Sequence, residues 1–194
     1  MKSPSASTRI DSQNKSQITD LFNRIRQIDL TSSHYLMVVA GPNNSLKIPF
    51  LKKVTGFTRD FSEVDLRTLI TVDEEETKRH IDTFFEALKK NGGNIIFRNG
   101  DVLAGEYTGF TYSTVRYATP QEKYLLNKIK GSETFFILDL KETENIDMTL
   151  KRFAQSVILF SAPTSLFGRI LWALKSVKLN GHTFINKRQN VQTA

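Results

Sequence analysis

Hydrophobic positions recur along the chain with two periods, and most of the elements can be read from them. Ile18, Leu21, Phe22, Ile25 and Ile28 repeat at helical spacing and predict an amphipathic helix over 17–29. His34–Ala40 is a near-continuous apolar run that reads as a central strand, closed by the turn Gly41-Pro42-Asn43-Asn44-Ser45. Residues 46–58 are interrupted by Pro49, which points to an edge strand or a bulged one, because proline cannot donate to a central ladder. Val64–Val72 alternates loosely and reads as a further strand.

The clearest helix starts at Asp73. Glu74, Glu75 and Glu76 lie in its first turn, Lys89 and Lys90 in its last, and Asn91-Gly92-Gly93 stops it. Asn94–Arg98, Asn99-Gly100 and Val102–Tyr107 have the form of a hairpin with a tight primed turn, and Phe110–Ala118 would add a third strand. Thr119-Pro120-Gln121-Glu122 is a helix start that runs to about Lys130. Thr134–Leu140 is a buried strand, Asp147 caps a helix over Met148–Gln155, and Ser156–Phe160 is apolar again. A helix over Ser165–Lys175 and a second Asn-Gly hairpin near 177–185 complete the reading. The expected fold is α+β, a single domain with a mainly antiparallel sheet and four to five packed helices. Residues 1–16 form a disordered lead-in, 17–186 the domain, and 187–194 a frayed basic tail.

Composition narrows the function classes. The 194 residues contain no cysteine, which excludes disulfide scaffolds, thiol nucleophiles and thiolate metal sites. No apolar run approaches the roughly 18 residues of a membrane span, and the polar N-terminus is not a secretory signal. An intracellular, cytoplasmic protein is the expectation.

Charge changes the picture more. Residues 151–194 hold Lys151, Arg152, Arg169, Lys175, Lys178, Lys187 and Arg188 and no acidic residue. Removing those seven from the 27 basic residues leaves 20, equal to the 20 acidic ones, so the net charge of +7 belongs to the C-terminal end. A helix over Ser165–Lys175 places the only tryptophan, Trp172, on its polar side between Arg169 and Lys175. A tryptophan between two cations suits base stacking beside phosphate neutralisation. Lys47, Lys52 and Lys53 lie in a second acid-free stretch between Asp29 and Asp60, and would extend this cationic face if the two stretches met.

Enzymatic signatures are weaker. Gly41 to Ile48 follows a strand with the outline of a phosphate-binding P-loop, Gly-x-x-x-x-Gly-Lys-Ser/Thr, but Leu46 stands at the second glycine and Ile48 at the hydroxyl. With Pro49 next, an ordinary turn is the reading taken. His34, His80 and His182 have no visible partner, and the charges at 73–76 complement a helix dipole rather than ligate a metal. No catalytic residue, metal or cofactor is assigned. The expected function is non-enzymatic binding of an RNA or DNA backbone. The alternatives are a structural or assembly protein, matrix-like or viral accessory, that self-associates or attaches to an anionic membrane, and an enzyme with a dispersed site around a histidine or carboxylate.

Overall fold

The computed structural model describes residues 8–11, 15–28, 34–57, 61–104 and 118–161. The chain divides at Phe160, and residues 1–160 are one unit. Its six strands are β1 (Thr8–Asp11), β2 (Tyr35–Ala40), β3 (Phe61–Asp65), β4 (Asn94–Arg98), β5 (Phe135–Leu140) and β6 (Ser156–Leu159). They form one sheet in the order β1-β6-β2-β5-β4-β3, and every pairing is parallel. Five helices connect them: α1 (Lys15–Arg26), α2 (Asn44–Thr55), α3 (Glu74–Asn91), α4 (Pro120–Lys130) and α5 (Met148–Phe153).

The α/β arrangement corrects the expected α+β fold with a mainly antiparallel sheet. The physical reason lies in the strands themselves. Leu36–Ala40, Ile95–Phe97, Phe135–Leu138 and Val157–Leu159 are buried throughout, because helices cover both faces of the sheet. Continuous apolar strands belong to parallel sheets, whereas an antiparallel sheet with one wet face alternates. Leu21, Phe22 and Ile25 of α1 pack with Phe50, Leu51 and Val54 of α2 on one face, against Met37, Val39, Ile137 and Ile158. Ile81 and Leu88 of α3, Leu125, Leu126 and Ile129 of α4 and Leu150 of α5 cover the other, against Leu36, Val38, Phe97 and Leu138.

Four local expectations change with the sheet. Residues 46–58 are not an edge strand but contain most of α2, with Pro49 inside the helix. Lys47, Phe50, Leu51 and Val54 are its buried positions, a helical period disguised by a lysine in an inward place. The stretch 64–72 is strand only to Asp65, then a 3-10 turn at Leu66–Thr68. Asn99 does take a left-handed conformation (φ 57°), but it turns the chain off the end of β4 into a 3-10 segment, Gly100–Ala104, and no hairpin forms. The lead-in is also corrected: β1 pairs with β6, and α1 begins at Lys15.

Other elements stand where the pattern put them. Asp73, Thr119 and Asp147 each cap a helix by accepting from the backbone N–H of Glu76, Glu122 and Leu150. The expected elements at 110–117, 165–175 and 177–185 lie outside the described residues. Among the described residues no helix is long and apolar enough to cross a membrane.

Candidate functional site

In an open parallel sheet, ligand sites form outside the carboxyl ends of the strands, where neighbouring connections leave toward opposite faces. β2 occupies that place. Its own connection runs through α2 on one face, while β5 reaches β6, on the far side of β2, through α5 on the other. The Gly41–Asn43 turn therefore sits at the topological switch point, and the P-loop outline acquires the strand–turn–helix setting that sequence reading denied it.

The turn is tightly tied. Gly41 N–H donates to the Leu140 carbonyl at 3.2 Å, Asn43 N–H to the Phe160 carbonyl at 3.2 Å, and Phe160 N–H to the Ala40 carbonyl at 2.7 Å. Lys47, on the first turn of α2, does not face solvent. It is 4% exposed, its Nζ donates to the Leu140 carbonyl at 3.1 Å, and it pairs with Asp139 Oδ1 at 2.8 Å.

Asp139 continues a network across three strands. Arg98 Nη1 donates to Asp139 Oδ2 at 2.8 Å, and Arg98 Nε and Nη2 donate to the two Glu63 oxygens at 3.1 and 2.6 Å. The parallel register produces this row, since Phe97 is opposite Leu138 and the next residues outward on the two strands are Arg98 and Asp139. Strand alternation points both toward the α2 side, away from the face that Phe97 and Leu138 fill. The Arg98 guanidinium bonded to Glu63 holds that carboxyl below its ordinary range. The result is an alternating chain, Lys47–Asp139–Arg98–Glu63, whose charges cancel internally.

This arrangement disfavours phosphate chemistry. A phosphate loop needs a lysine free to reach the phosphate, a second glycine and a hydroxyl for the metal. Here the lysine is engaged, and the side chains at the other two places, Leu46 and Ile48, are apolar and 44% and 50% exposed. Arg98 places a cation among the strand ends, and no group of three or more His, Asp or Glu among the described residues is arranged to hold a metal. The adjoining cavity, lined by Ile48, Leu51, Lys52, Thr55, Glu63, Ile96 and Arg98, has about 140 Å³. Small-molecule sites usually have about 300–1,000 Å³.

The candidate cations fall into three groups. Lys47 leaves the proposed cationic face, because it is buried and ion-paired. Lys52 and Lys53 are exposed on α2, whereas Lys151 and Arg152 are exposed at the end of α5, in the layer on the opposite side of the sheet. Those two sets do not form one surface. Arg169, Trp172, Lys175, Lys178, Lys187 and Arg188 lie outside the described residues.

Sequence reading missed Asp139, Arg98 and Glu63. A signal for the first two was present: each is a lone charge ending an otherwise apolar strand, Phe135–Leu138 and Ile95–Phe97. Asp73 serves as a cap, Glu75 pairs with Lys78 at 2.6 Å, and His80 is half-buried on α3.

His34 has a definite partner. Gln155 Oε1 accepts from Leu36 N–H at 2.6 Å, and the Gln155 amide nitrogen lies 3.3 Å from His34 Nε2. With the oxygen committed, the amide N–H is left to donate, so His34 Nε2 accepts and the imidazole is neutral. Burial, reinforced by the charge of Lys130, lowers the His34 pKa from 6.5. The unfolded chain then binds a proton that the folded chain refuses. Stability is therefore complete above pH 6.5 and declines as pH falls through the lowered folded value. Urea midpoints are expected to drop as pH falls below 6.5, and to drop less in His34→Gln. Equal slopes in both proteins would remove His34 as the source.

No protein-family model matches the chain, and no curated protein matches it with significance.

Proposed function

We propose that the protein is a non-enzymatic, intracellular binding protein that engages the phosphate backbone of RNA or DNA. The observation that carries this reading is the division of labour among its cations. The lysine in phosphate-loop position is consumed by an internal ion pair, whereas Lys52 and Lys53 are exposed with no ion pair among the described residues, and the last 44 residues hold seven cations and no acid. The first arrangement argues against turnover of a nucleoside phosphate, the second for contact with a polyanion.

Arg169, Lys175, Lys178, Lys187 and Arg188 neutralise phosphates in this reading, with Trp172 stacking on a base. Single-stranded oligonucleotide binding is expected to weaken with salt at a slope of about −0.7 per neutralised phosphate, about −3.5 for five contacts. A flat salt dependence, or affinity unchanged in the Arg169→Ala/Trp172→Ala double variant, would sink the reading.

A further inference from the structure

The outer face of α1 and α2 carries an excess of cations. These two helices carry Lys15, Arg24, Arg26, Lys47, Lys52 and Lys53 against a single acid, Asp20. Lys47 is inside. Arg24, Arg26, Lys52 and Lys53 are exposed, and no carboxylate among the described residues pairs with them. Across the sheet α4 and α5 also carry more cations than acids, but α3, with five acidic residues, packs beside α4, where Lys128 pairs with Asp82.

Two of the four cations are also held in place. Arg26 Cζ lies 4.4 Å from the centroid of the Phe57 ring, and Lys53 Nζ lies 4.3 Å from that of Phe22. The two rings meet edge-to-face at 5.4 Å, so the charges stand at most about 14 Å apart, the end-to-end limit of those three separations. Phe22 continues inward to Phe50, and Phe50 to the buried Phe160. An aromatic column thus runs from the core to the surface and ends in two cations. Side chains positioned in this way lose less rotamer freedom on binding than free ones do.

We propose that this α1–α2 face is a docking surface for a nucleic-acid backbone, with Arg26, Lys52 and Lys53 as phosphate contacts. The proposal rests on the polyanion reading above but assigns it a second, folded surface. A lipid surface fits less well. Interfacial helices insert apolar side chains beside their cations, yet Phe22 is 6% exposed and capped by Lys53. Of the exposed apolar residues of α2, Leu46 lies in the first turn, and Ile48, one turn before Lys52, borders the cavity with it. Phosphate contacts of this kind position a strand without reading its sequence.

The test uses the full chain, a labelled single-stranded oligonucleotide of mixed sequence and a salt series. The Arg26→Gln/Lys52→Gln/Lys53→Gln variant is expected to bind about tenfold more weakly at moderate salt, with a slope shallower by about 2. Lys52→Gln alone, which disturbs neither ring contact, is expected to reduce the slope by about 0.7. The charge-preserving Arg26→Lys/Lys53→Arg variant is expected to bind like the parent. Parent-like binding by the triple variant, with loss only in Arg169→Ala/Trp172→Ala, overturns this surface and leaves the C-terminal reading standing. No oligonucleotide binding by the parent overturns both. Binding to phosphatidylserine vesicles in place of oligonucleotide overturns both in favour of a membrane.

Discussion

Replacing Asp139 with alanine is expected to destabilise the fold by about 3–5 kcal/mol, the usual loss when one partner of a buried ion pair is removed. The side chains of Lys47 and Asp139 are 5% and 15% exposed, so water cannot take over the lost partner. Lys47 would keep only the Leu140 carbonyl as acceptor, and Arg98 would keep only Glu63. The companion variant separates a structural pair from a poised one. Lys47→Met with Asp139→Leu removes both charges at similar volume, and such replacements are often neutral or stabilising. Its urea midpoint should lie far closer to the parent than that of Asp139→Ala, although Arg98 still loses a partner. Oligonucleotide affinity should be unchanged in the double variant, because Lys47 is inside the fold. Loss of that binding in a folded Lys47→Met/Asp139→Leu protein would show that Lys47 leaves Asp139 to meet the ligand, and would overturn its assignment as an internal partner.

That pair also marks the limit of what was legible beforehand. Elements whose apolar residues repeat without interruption, such as α1, α3, β2 and β5, can be read from pattern alone. α2 could not, because one of its four buried positions is a lysine and Pro49 mimics a strand break. A buried lysine makes sense only with its carboxylate, and Asp139 lies 92 positions further along, brought near by β5 pairing beside β2. The hairpin at Asn99-Gly100 failed for a related reason. The left-handed residue was correctly located, but a turn fixes only local geometry, and whether the next segment returns to the sheet depends on packing. Gly100 shows that packing directly, since a Cβ there would approach the Leu138 and Leu140 side chains to 2.8 Å. Of the candidate cations on α2, charge alone suggests exposure for all three, which holds for Lys52 and Lys53 but not for Lys47, and the separation of Lys52 and Lys53 from Lys151 and Arg152 needed the sheet between them. The cations of α1 were overlooked because Asp20 masks their excess in a linear count.

Gly41→Ala is expected to be the most damaging single-methyl change in the described fold, with a loss above about 4 kcal/mol, a size reserved for severe steric or burial defects. Gly41 has φ 122°, a conformation that an L-residue rarely adopts. Its added Cβ would lie 2.5 Å from the Phe160 carbonyl oxygen and 2.8 Å from the carbonyl carbon. Both are backbone atoms, so no side-chain rotation relieves the clash. Phe160 cannot retreat either, because its N–H bonds Ala40, its carbonyl accepts from Asn43, and its ring is 1% exposed against Phe50. Gly92→Ala is the control without a clash: its φ of 66° and ψ of −166° form a conformation essentially confined to glycine, nothing lies within 4 Å of the added Cβ, and the cost is about 1–3 kcal/mol for the backbone alone. Urea denaturation of the two variants against the parent measures the difference. Equal losses would mean that the β2–α2 turn can move away from Phe160. The expected inequality carries a functional reading: the glycine in phosphate-loop position is required by the Phe160 backbone that touches it, with no phosphate needed to explain it. The same contact anchors the start of α2 and hence Lys47 above Asp139. Glycine, lysine and aspartate are in this sense one internal assembly, which leaves phosphate contact to the exposed cations.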